Sequence, residues 1–204
     1  MTDTPDSTRL LAALRLTAES LDRLGQAWAL VGGLAVSVRS EPRFTRDIDV
    51  AIAVSGDLAA EALVTKLVAG GFRLRLSLEH EALGRLAAVR LAPPGEPEEG
   101  IVVDLLFTSS GIEPEICRDA DRLQIAPRLT VPVAQAGHLV AMKLLALAPD
   151  RPQDAIDLQA LLRNLSALDR ERALRGVARI EEIGANRSKH LREELERWLE
   201  PEAR

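Results

Sequence analysis

The sequence has few aromatic residues: its 204 residues include three Phe, two Trp and no Tyr. Proteins that bind single-stranded nucleic acid without sequence preference stack bases on aromatic side chains, so a platform of that kind is not expected. Hydrophobic residues nevertheless make up 47% of the chain, which is typical of a globular protein. The core therefore has to be built from Leu, Ala, Val and Ile.

The sequence also lacks paired cysteines, a start with the pattern of a signal peptide and a long apolar run. Cys117 is the single cysteine, which excludes an intrachain disulfide and a cysteine-rich zinc site. Residues 1–7 are polar and acidic, unlike the basic and apolar start of a signal peptide. No apolar stretch approaches the roughly 20 residues that span a bilayer. These absences predict a cytoplasmic protein with no membrane partner.

Basic residues are not in excess either. Lys and Arg number 26 against 31 Asp and Glu, so the net charge of -5 argues against a broad surface for nucleic acid. A local basic cleft stays open, because Arg residues cluster in the sequence. One basic cluster consists of Arg187, Lys189, His190 and Arg192. It is expected to be the solvated start of a helix, and contact with an RNA backbone is the alternative.

Hydrophobic spacing predicts an α/β part up to about residue 110. A first helix, capped by Ser7 and ended by Gly25, precedes a buried strand over 27–31 and the break at Gly32 and Gly33. The further elements expected are helices over 34–39 and 57–69, and strands over 47–54, 72–78, 86–92 and 101–107.

Helical periodicity replaces strand-like alternation after Phe107. Helices are expected over 134–147, 153–164, 169–183 and 188–199. The predicted domains are an α/β core over 1–110 and a helical region over 111–204 that packs on it. The fold class is then α+β or α/β, a mixed sheet flanked by helices and followed by a C-terminal helical lobe.

Two aspartates in the strand that begins at Asp47 form the first candidate site. Side chains alternate across a strand, so Asp47 and Asp49 point to one face, and the apolar residues between and after them anchor the other. Two carboxylates this close repel unless one is protonated or a cation lies between them. A hard divalent ion such as Mg²⁺ is the expected partner. Alone, an Asp-x-Asp is more often a surface feature.

Asp104 and the glycine pair extend this site. Asp104 interrupts the apolar strand 101–107, where an ionised carboxylate is costly to bury without a partner. If that strand lies beside the Asp47 strand, three carboxylates converge and can hold two metals, although a salt bridge to an Arg would also explain Asp104.

Gly32 and Gly33, between a strand and a helix, allow a phosphate to approach the backbone N–H groups, but glycine pairs are often simple turns.

In this order, the motifs resemble the nucleotidyltransferase superfamily, and within it the chain is similar to the AbiEii/AbiGii toxin-type nucleotidyltransferases. The segments that carry the resemblance are Val31–Ala35, Arg43–Asp49, Ala141–Ala146 and Arg151–Leu158. The resemblance implies a nucleotidyltransferase-like fold and transfer of a nucleotide from a nucleoside triphosphate (NTP). It also implies Mg²⁺ as one or two ions (or Mn²⁺), an RNA acceptor such as tRNA, and an antitoxin partner.

The resemblance further implies active-site roles for Lys143 and for Asp157 or Asp154. Lys143 lies in an otherwise apolar helix, so it has to reach solvent or meet an anion such as a triphosphate. Asp154 and Asp157 share one helical face, and the sequence does not separate their roles or exclude plain salt bridges. Two arginines that flank the Asp-x-Asp, Arg43 and Arg46, are expected either to bind a phosphate or to neutralise the carboxylates.

The predicted function is Mg²⁺-dependent nucleotidyl transfer in a toxin–antitoxin or phage-defence system. Asp47, Asp49 and Asp104 are expected to bind metal, and Asp104 is also the candidate for activating the acceptor hydroxyl. Three alternatives remain. The first is transfer to a small molecule such as an aminoglycoside, which the acidic net charge favours. The second is a non-catalytic nucleotide-binding or adaptor protein, and the third is an antitoxin-like binding partner.

Overall fold

Strands and helices alternate through the first part of the chain, and helices dominate its end. The computed structural model describes residues 5–80 and 85–200; residues 1–4, which belong to the polar start, lie outside it. Its helices are α1 (Pro5–Arg23), α2 (Gly32–Arg39), α3 (Asp57–Ala69), α4 (Glu113–Asp119), α5 (Ala136–Ala146), α6 (Pro152–Leu162), α7 (Ala167–Glu182) and α8 (Leu191–Leu199). Its strands are β1 (Trp28–Val31), β2 (Asp47–Ile52), β3 (Arg73–His80), β4 (Arg85–Ala92), β5 (Val102–Leu106), β6 (Asp121–Ala126) and β7 (Leu129–Val133).

These strands form one mixed sheet in the order β3-β4-β5-β2-β1-β7-β6. The pairs β2–β5 and β1–β7 are parallel, and the other neighbouring strands are antiparallel. A mixed sheet flanked by helices confirms the predicted fold class. None of the described helices is both long and apolar enough to cross a membrane.

The burial pattern of the central strands shows which part of the sheet is not covered by helices. Every residue of β1 is buried, so this strand is covered on both faces. In β5, Val103 and Leu105 are fully buried while the residues that alternate with them are half-buried. Ile48 and Val50 of β2 are likewise fully buried beside half-buried Asp49. The sheet therefore has one apolar face in the core and, at β2 and β5, an open face that carries the aspartates.

Three elements differ from the sequence prediction. The expectation that strands end after Phe107 is wrong, because β6 and β7 form a hairpin and β7 pairs with β1. β6 is a partly exposed edge strand and β7 contains Pro132, so neither shows clear alternation. The short helix α4 was also not expected. Ser7 is not a cap, since α1 already includes it. The domain boundary near residue 110 stays a prediction.

Candidate active site

The aspartates of β2 and β5 lie next to each other on the open face of the sheet. Parallel pairing places Asp49 directly opposite Asp104, and Asp47 lies two positions before Asp49 on the same strand. All three line a cleft of about 1500 Å³ between the sheet and the C-terminal helices. The structure thus brings together the three carboxylates that the sequence singles out.

The charges of these carboxylates are not fully balanced. Burial, and then the negative charges of Asp104 and Asp47, raise the pKa of Asp49 to about 6. The positive charges of Lys143 and Arg90 act in the opposite direction and offset only part of this effect. A cation bound beside Asp49 would remove the repulsion. The electrostatics of the cluster therefore favour the binding of a cation.

Arg90 on β4 forms a two-point ion pair with Asp104. Arg90 Nε lies 2.8 Å from Asp104 Oδ1, and Nη2 lies 2.6 Å from Oδ2. The two residues are register partners on β4 and β5, and both line the cleft. Arg90 was not predicted as a site residue, although a signal was present: it is the single charged residue in the apolar run 86–92, as Asp104 is in 101–107.

Gly32 and Gly33 allow α2 to begin directly against two charged side chains. Gly32 has φ +63°, and a Cβ there would collide with the carboxylate of Asp49. A Cβ on Gly33 would collide with the guanidinium of Arg43. Both glycines line the cleft, so the first turn of α2 faces it closely. Their role in binding phosphate stays a prediction.

Lys143 of α5 lies between two buried aspartates of α6. Its Nζ is 2.7 Å from Asp154 Oδ1 and 2.7 Å from Asp157 Oδ2. Lys143 is 8% exposed, Asp154 3% and Asp157 1%. Lys143 therefore forms ion pairs with both Asp154 and Asp157, the two aspartates that the sequence did not separate. An exposed surface lysine is excluded, because Lys143 is buried at the wall of the cleft.

Arg43 and Arg46, which the sequence grouped together, lie in different surroundings. Arg43 lines the cleft and pairs with Asp157, with Nη2 2.8 Å from Oδ2 and Nε 2.6 Å from Oδ1. The guanidinium of Arg46 instead lies over the ring of Phe44, 5.5 Å from its centroid, and borders a separate small pocket. Arg43 therefore forms one group of ion pairs with Lys143, Asp154 and Asp157, which we call the Lys143 cluster. Arg46 does not line the cleft.

Six further residues line the cleft, and among them only Arg187 had a predicted role, as a member of the basic cluster near the C-terminus. Two half-exposed leucines of the edge strand β3 form an apolar border next to Arg90. The loop after β5 supplies two serines, and one arginine each comes from the residue before α6 and the loop between α7 and α8. These residues are Leu76, Leu78, Ser109, Ser110, Arg151 and Arg187.

The donor chemistry of the cluster fits a hard divalent cation. Asp47 and Asp49 supply carboxylate oxygens, which Mg²⁺ and Mn²⁺ prefer, and the raised pKa of Asp49 reflects a shortage of positive charge. Asp104 is different, because Arg90 holds both of its oxygens. In the described part of the chain, no three His, Cys, Asp or Glu side chains are already arranged as a metal site. Asp104 would therefore serve as a third ligand either through the lone pairs that Arg90 leaves unused or after Arg90 moves.

A mixed sheet with a glycine turn beside paired aspartates and a third aspartate on the adjacent strand defines a nucleotidyltransferase. A family model described as "Nucleotidyl transferase AbiEii toxin, Type IV TA system" matches residues 15–204. The chain belongs to this family, which confirms the resemblance and makes it an enzyme of NTP-dependent nucleotidyl transfer. Among curated proteins, no relative matches the sequence.

Solved structures share the fold at low sequence identity. One is ANT(2")-Ia in complex with adenylyl-2"-tobramycin (15% identity, 87% of this chain and 99% of that chain, TM-score 0.56). Another is an antigenic nucleotidyltransferase-like protein from Paracoccidioides brasiliensis (17%, 90% and 94%, TM-score 0.50). A third is the nucleotidyltransferase toxin MenT4 from Mycobacterium tuberculosis H37Rv (19%, 84% and 64%, TM-score 0.50).

Proposed function

We propose that this protein transfers a nucleoside monophosphate from an NTP to a hydroxyl of RNA, with tRNA as the acceptor. It acts as the toxin of a toxin–antitoxin or phage-defence system and has a cognate antitoxin. The observation that carries the chemistry is the pairing of Asp49 with Asp104 in a cleft that Gly32 and Lys143 also line. The family supports the role as a toxin. A location in the cytoplasm stays a prediction.

The carboxylates have different roles in this proposal. Asp47 and Asp49 would hold Mg²⁺, which when bound neutralises charge on the triphosphate and its leaving group. Asp104 orients the acceptor hydroxyl and accepts its proton at a lone pair that Arg90 leaves unused, while Arg90 fixes the position of the carboxylate. Catalysis then depends mainly on positioning and charge neutralisation, as in phosphoryl transfer generally.

The cluster around Lys143 binds the triphosphate in this proposal. Lys143 and Arg43 both line the cleft, and both are held by Asp157. Asp154 holds Lys143 from the other side, so the ammonium group is fixed in position before substrate binds. Backbone N–H groups at Gly32 and Gly33 add further donors for phosphate oxygens. The aspartates therefore act as positioning residues for the cations.

The size of the cleft supports an acceptor that binds beside the nucleotide. Sites for one small molecule usually measure roughly 300–1,000 Å³, and this cleft measures about 1500 Å³. Leu76 and Leu78 border the cleft on the side of Arg90, so an acceptor that approaches Asp104 would pass over them.

The test is transfer of label from each of four α-labelled NTPs with Mg²⁺, in the presence of total RNA or purified tRNA. We expect the wild type to label RNA, and Asp49→Asn and Asp104→Asn to lose at least about a hundredfold in rate, which is the scale of a lost acid–base group. Glu61→Gln removes an exposed carboxylate of α3 that lies outside the cleft and serves as the control. Equal labelling by wild type, Asp49→Asn and Asp104→Asn would contradict the proposal.

A small-molecule acceptor is the second candidate. The net charge of -5 disfavours a polyanionic acceptor, and the solved structure with TM-score 0.56 carries an adenylylated aminoglycoside. Replacing RNA with aminoglycosides in the same labelling assay separates the two acceptors. Label on the antibiotic and none on RNA would reject the RNA proposal. Because the family assigns an enzyme, the non-catalytic adaptor and the antitoxin-like binder are disfavoured.

A further inference from the structure

A pair of arginines lies in the cleft outside the Lys143 cluster. Arg151 occupies the N-cap position of α6, and Arg187 lies in the loop between α7 and α8. Both side chains line the same cleft as the aspartates. Neither arginine has a role in the transfer step described above, so their presence in the cleft requires another explanation.

The loop that carries Arg187 is anchored on two sides. Arg187 Nη2 donates a hydrogen bond to the carbonyl of Ser109 at 3.2 Å, and Lys189 Nζ donates to the carbonyl of Leu145 at 2.8 Å. Between these anchors, Arg187 and Ser188 have φ values of +53° and +59°. Residues other than glycine rarely adopt this left-handed conformation, which costs about 1–2 kcal/mol. The anchored loop therefore holds Arg187 at the cleft in a conformation that an unconstrained chain would avoid.

The positive charge of the two arginines is only partly balanced. Within residues 5–80 and 85–200, no carboxylate forms an ion pair with Arg187, whose hydrogen-bond partner is a carbonyl. Arg151 Nε lies 2.9 Å from Asp154 Oδ2, but Asp154 also pairs with Lys143. Burial, and then the positive charge of Arg151, lower the pKa of Arg187, while buried Glu113 opposes this effect. The positive charge of Arg151 therefore acts on Arg187 in the cleft that both residues line.

We propose that Arg151 and Arg187 together bind a phosphate group of the substrates. Guanidinium groups form two-point hydrogen bonds with phosphate oxygens, and an anion between two of them removes their repulsion. Exposed Asp150 is the remaining acid on this wall of the cleft, and its side chain is free to turn to solvent. The phosphate belongs either to the NTP or to the backbone of the RNA acceptor. The inference rests on the proposed function, because that function supplies both kinds of phosphate.

The first experiment measures binding of inorganic tripolyphosphate with Mg²⁺ by calorimetry. The variants are Arg151→Gln, Arg187→Gln and the double variant, and the matched control is Arg163→Gln combined with Arg170→Gln. Arg163 and Arg170 are exposed and do not line the cleft, so the control removes two positive charges outside it. If the site binds the NTP, the double variant binds tripolyphosphate at least about tenfold more weakly than the control, about 1.4 kcal/mol. Arg187→Gln leaves the pairs of Asp154 intact, so its effect is independent of that buried cluster.

The second experiment measures binding of a short RNA oligonucleotide at several salt concentrations. If the site binds the acceptor, tripolyphosphate affinity stays unchanged, and the magnitude of the slope of log K against log salt for RNA falls by about one in the double variant, because one phosphate contact is lost. Either result supports the inference and identifies the source of the phosphate. The inference is overturned if both quantities in the double variant of Arg151 and Arg187 equal those of the control variant.

These binding measurements require no turnover. A protein that shows the expected binding loss in its variants but transfers no label would contradict the proposed reaction and leave the inference standing. A protein that transfers label while Arg151 and Arg187 have no effect on either binding measurement would contradict the inference alone.

Discussion

Arg90 binds both carboxylate oxygens of Asp104, whereas Asp49, the direct neighbour of Asp104 on β2, has no such ion pair in the described part of the chain. One carboxylate of the pair is therefore neutralised by the protein itself. The other carries a pKa of about 6. This difference predicts that a metal binds first at Asp47 and Asp49 and competes with Arg90 for Asp104.

Replacing Arg90 with Gln should strengthen metal binding. Without the guanidinium, the oxygens of Asp104 become available as ligands and the cluster gains one net negative charge. We expect at least about a tenfold gain in affinity for Mn²⁺, about 1.4 kcal/mol, measured by calorimetry in the absence of nucleotide. The control is Arg75→Gln on β3, whose ion pair with Glu98 lies outside the cleft. Weaker or unchanged Mn²⁺ binding by Arg90→Gln would show that Arg90 does not compete with metal.

The raised pKa of Asp49 predicts how stability depends on pH without metal. The folded protein holds the proton of Asp49 more tightly than the unfolded chain does. The stabilising effect of that proton is complete below the ordinary value of 3.8 and is lost as pH rises through about 6. Asp49→Asn avoids this loss. We expect the variant to gain up to about 3 kcal/mol over wild type between pH 4 and pH 7, since one pKa unit is about 1.4 kcal/mol.

Urea unfolding in the presence of a chelator measures this dependence. The free energy of unfolding of Asp49→Asn minus that of wild type should rise with pH and level off above pH 7. Saturating Mg²⁺ should reduce the difference, because a bound cation stabilises the ionised carboxylate. A difference that stays constant from pH 4 to pH 8 would mean that Asp49 ionises normally in the folded protein.

Gly32→Ala should disturb the site more than the positive φ of Gly32 alone would explain. Gly25 has a similar φ of +66° but open space around it, whereas a Cβ on Gly32 would collide with the Asp49 carboxylate. Both substitutions cost about 1–2 kcal/mol of backbone strain. Gly32→Ala should cost roughly 1–3 kcal/mol more from the forced shift of Asp49, and it should reduce nucleotidyl transfer while Gly25→Ala does not. Equal losses of stability and activity in the two variants would contradict the predicted contact.

Asp157→Asn should destabilise the fold more than Asp154→Asn. Burial favours protonated Asp157, but hydrogen bonds from Arg43, Lys143 and Gln153 outweigh it and lower its pKa. Its stabilising effect is therefore present above the ordinary pKa and is lost as pH falls through the lowered value. Removing this charge leaves Arg43 without its carboxylate and Lys143 with one aspartate instead of two, at about 3–5 kcal/mol.

Asp154→Asn provides the comparison within the same cluster. It leaves Lys143 paired with Asp157, so the expected loss is nearer to 1–3 kcal/mol. Chemical unfolding at pH 7 measures both variants. An equal or larger loss in Asp154→Asn would show that Asp154, rather than Asp157, holds the cluster together.

Local patterns were sufficient to predict many of the elements and several site residues. The helix over 57–69 has the predicted bounds, because glycines lie next to both of its ends. The hairpin of β6 and β7 was missed, since its pairing with β1 is a contact between distant parts of the chain. Arg90 was missed because an arginine in a strand has no assigned role until its neighbour is known. Arg46 was expected at the carboxylates or a phosphate, but its guanidinium lies over the ring of Phe44 instead.

The sequence by itself determined that Asp47 and Asp49 share one face of a strand, because alternation is a property of the extended backbone. It also determined that the chain turns at Gly32, since few residues other than glycine tolerate φ of +63°. Only the tertiary structure decided that β5 lies beside β2, which placed Asp104 opposite Asp49 and next to Arg90. Strand order and ion pairing depend on packing between distant segments, and local spacing does not encode which partners meet.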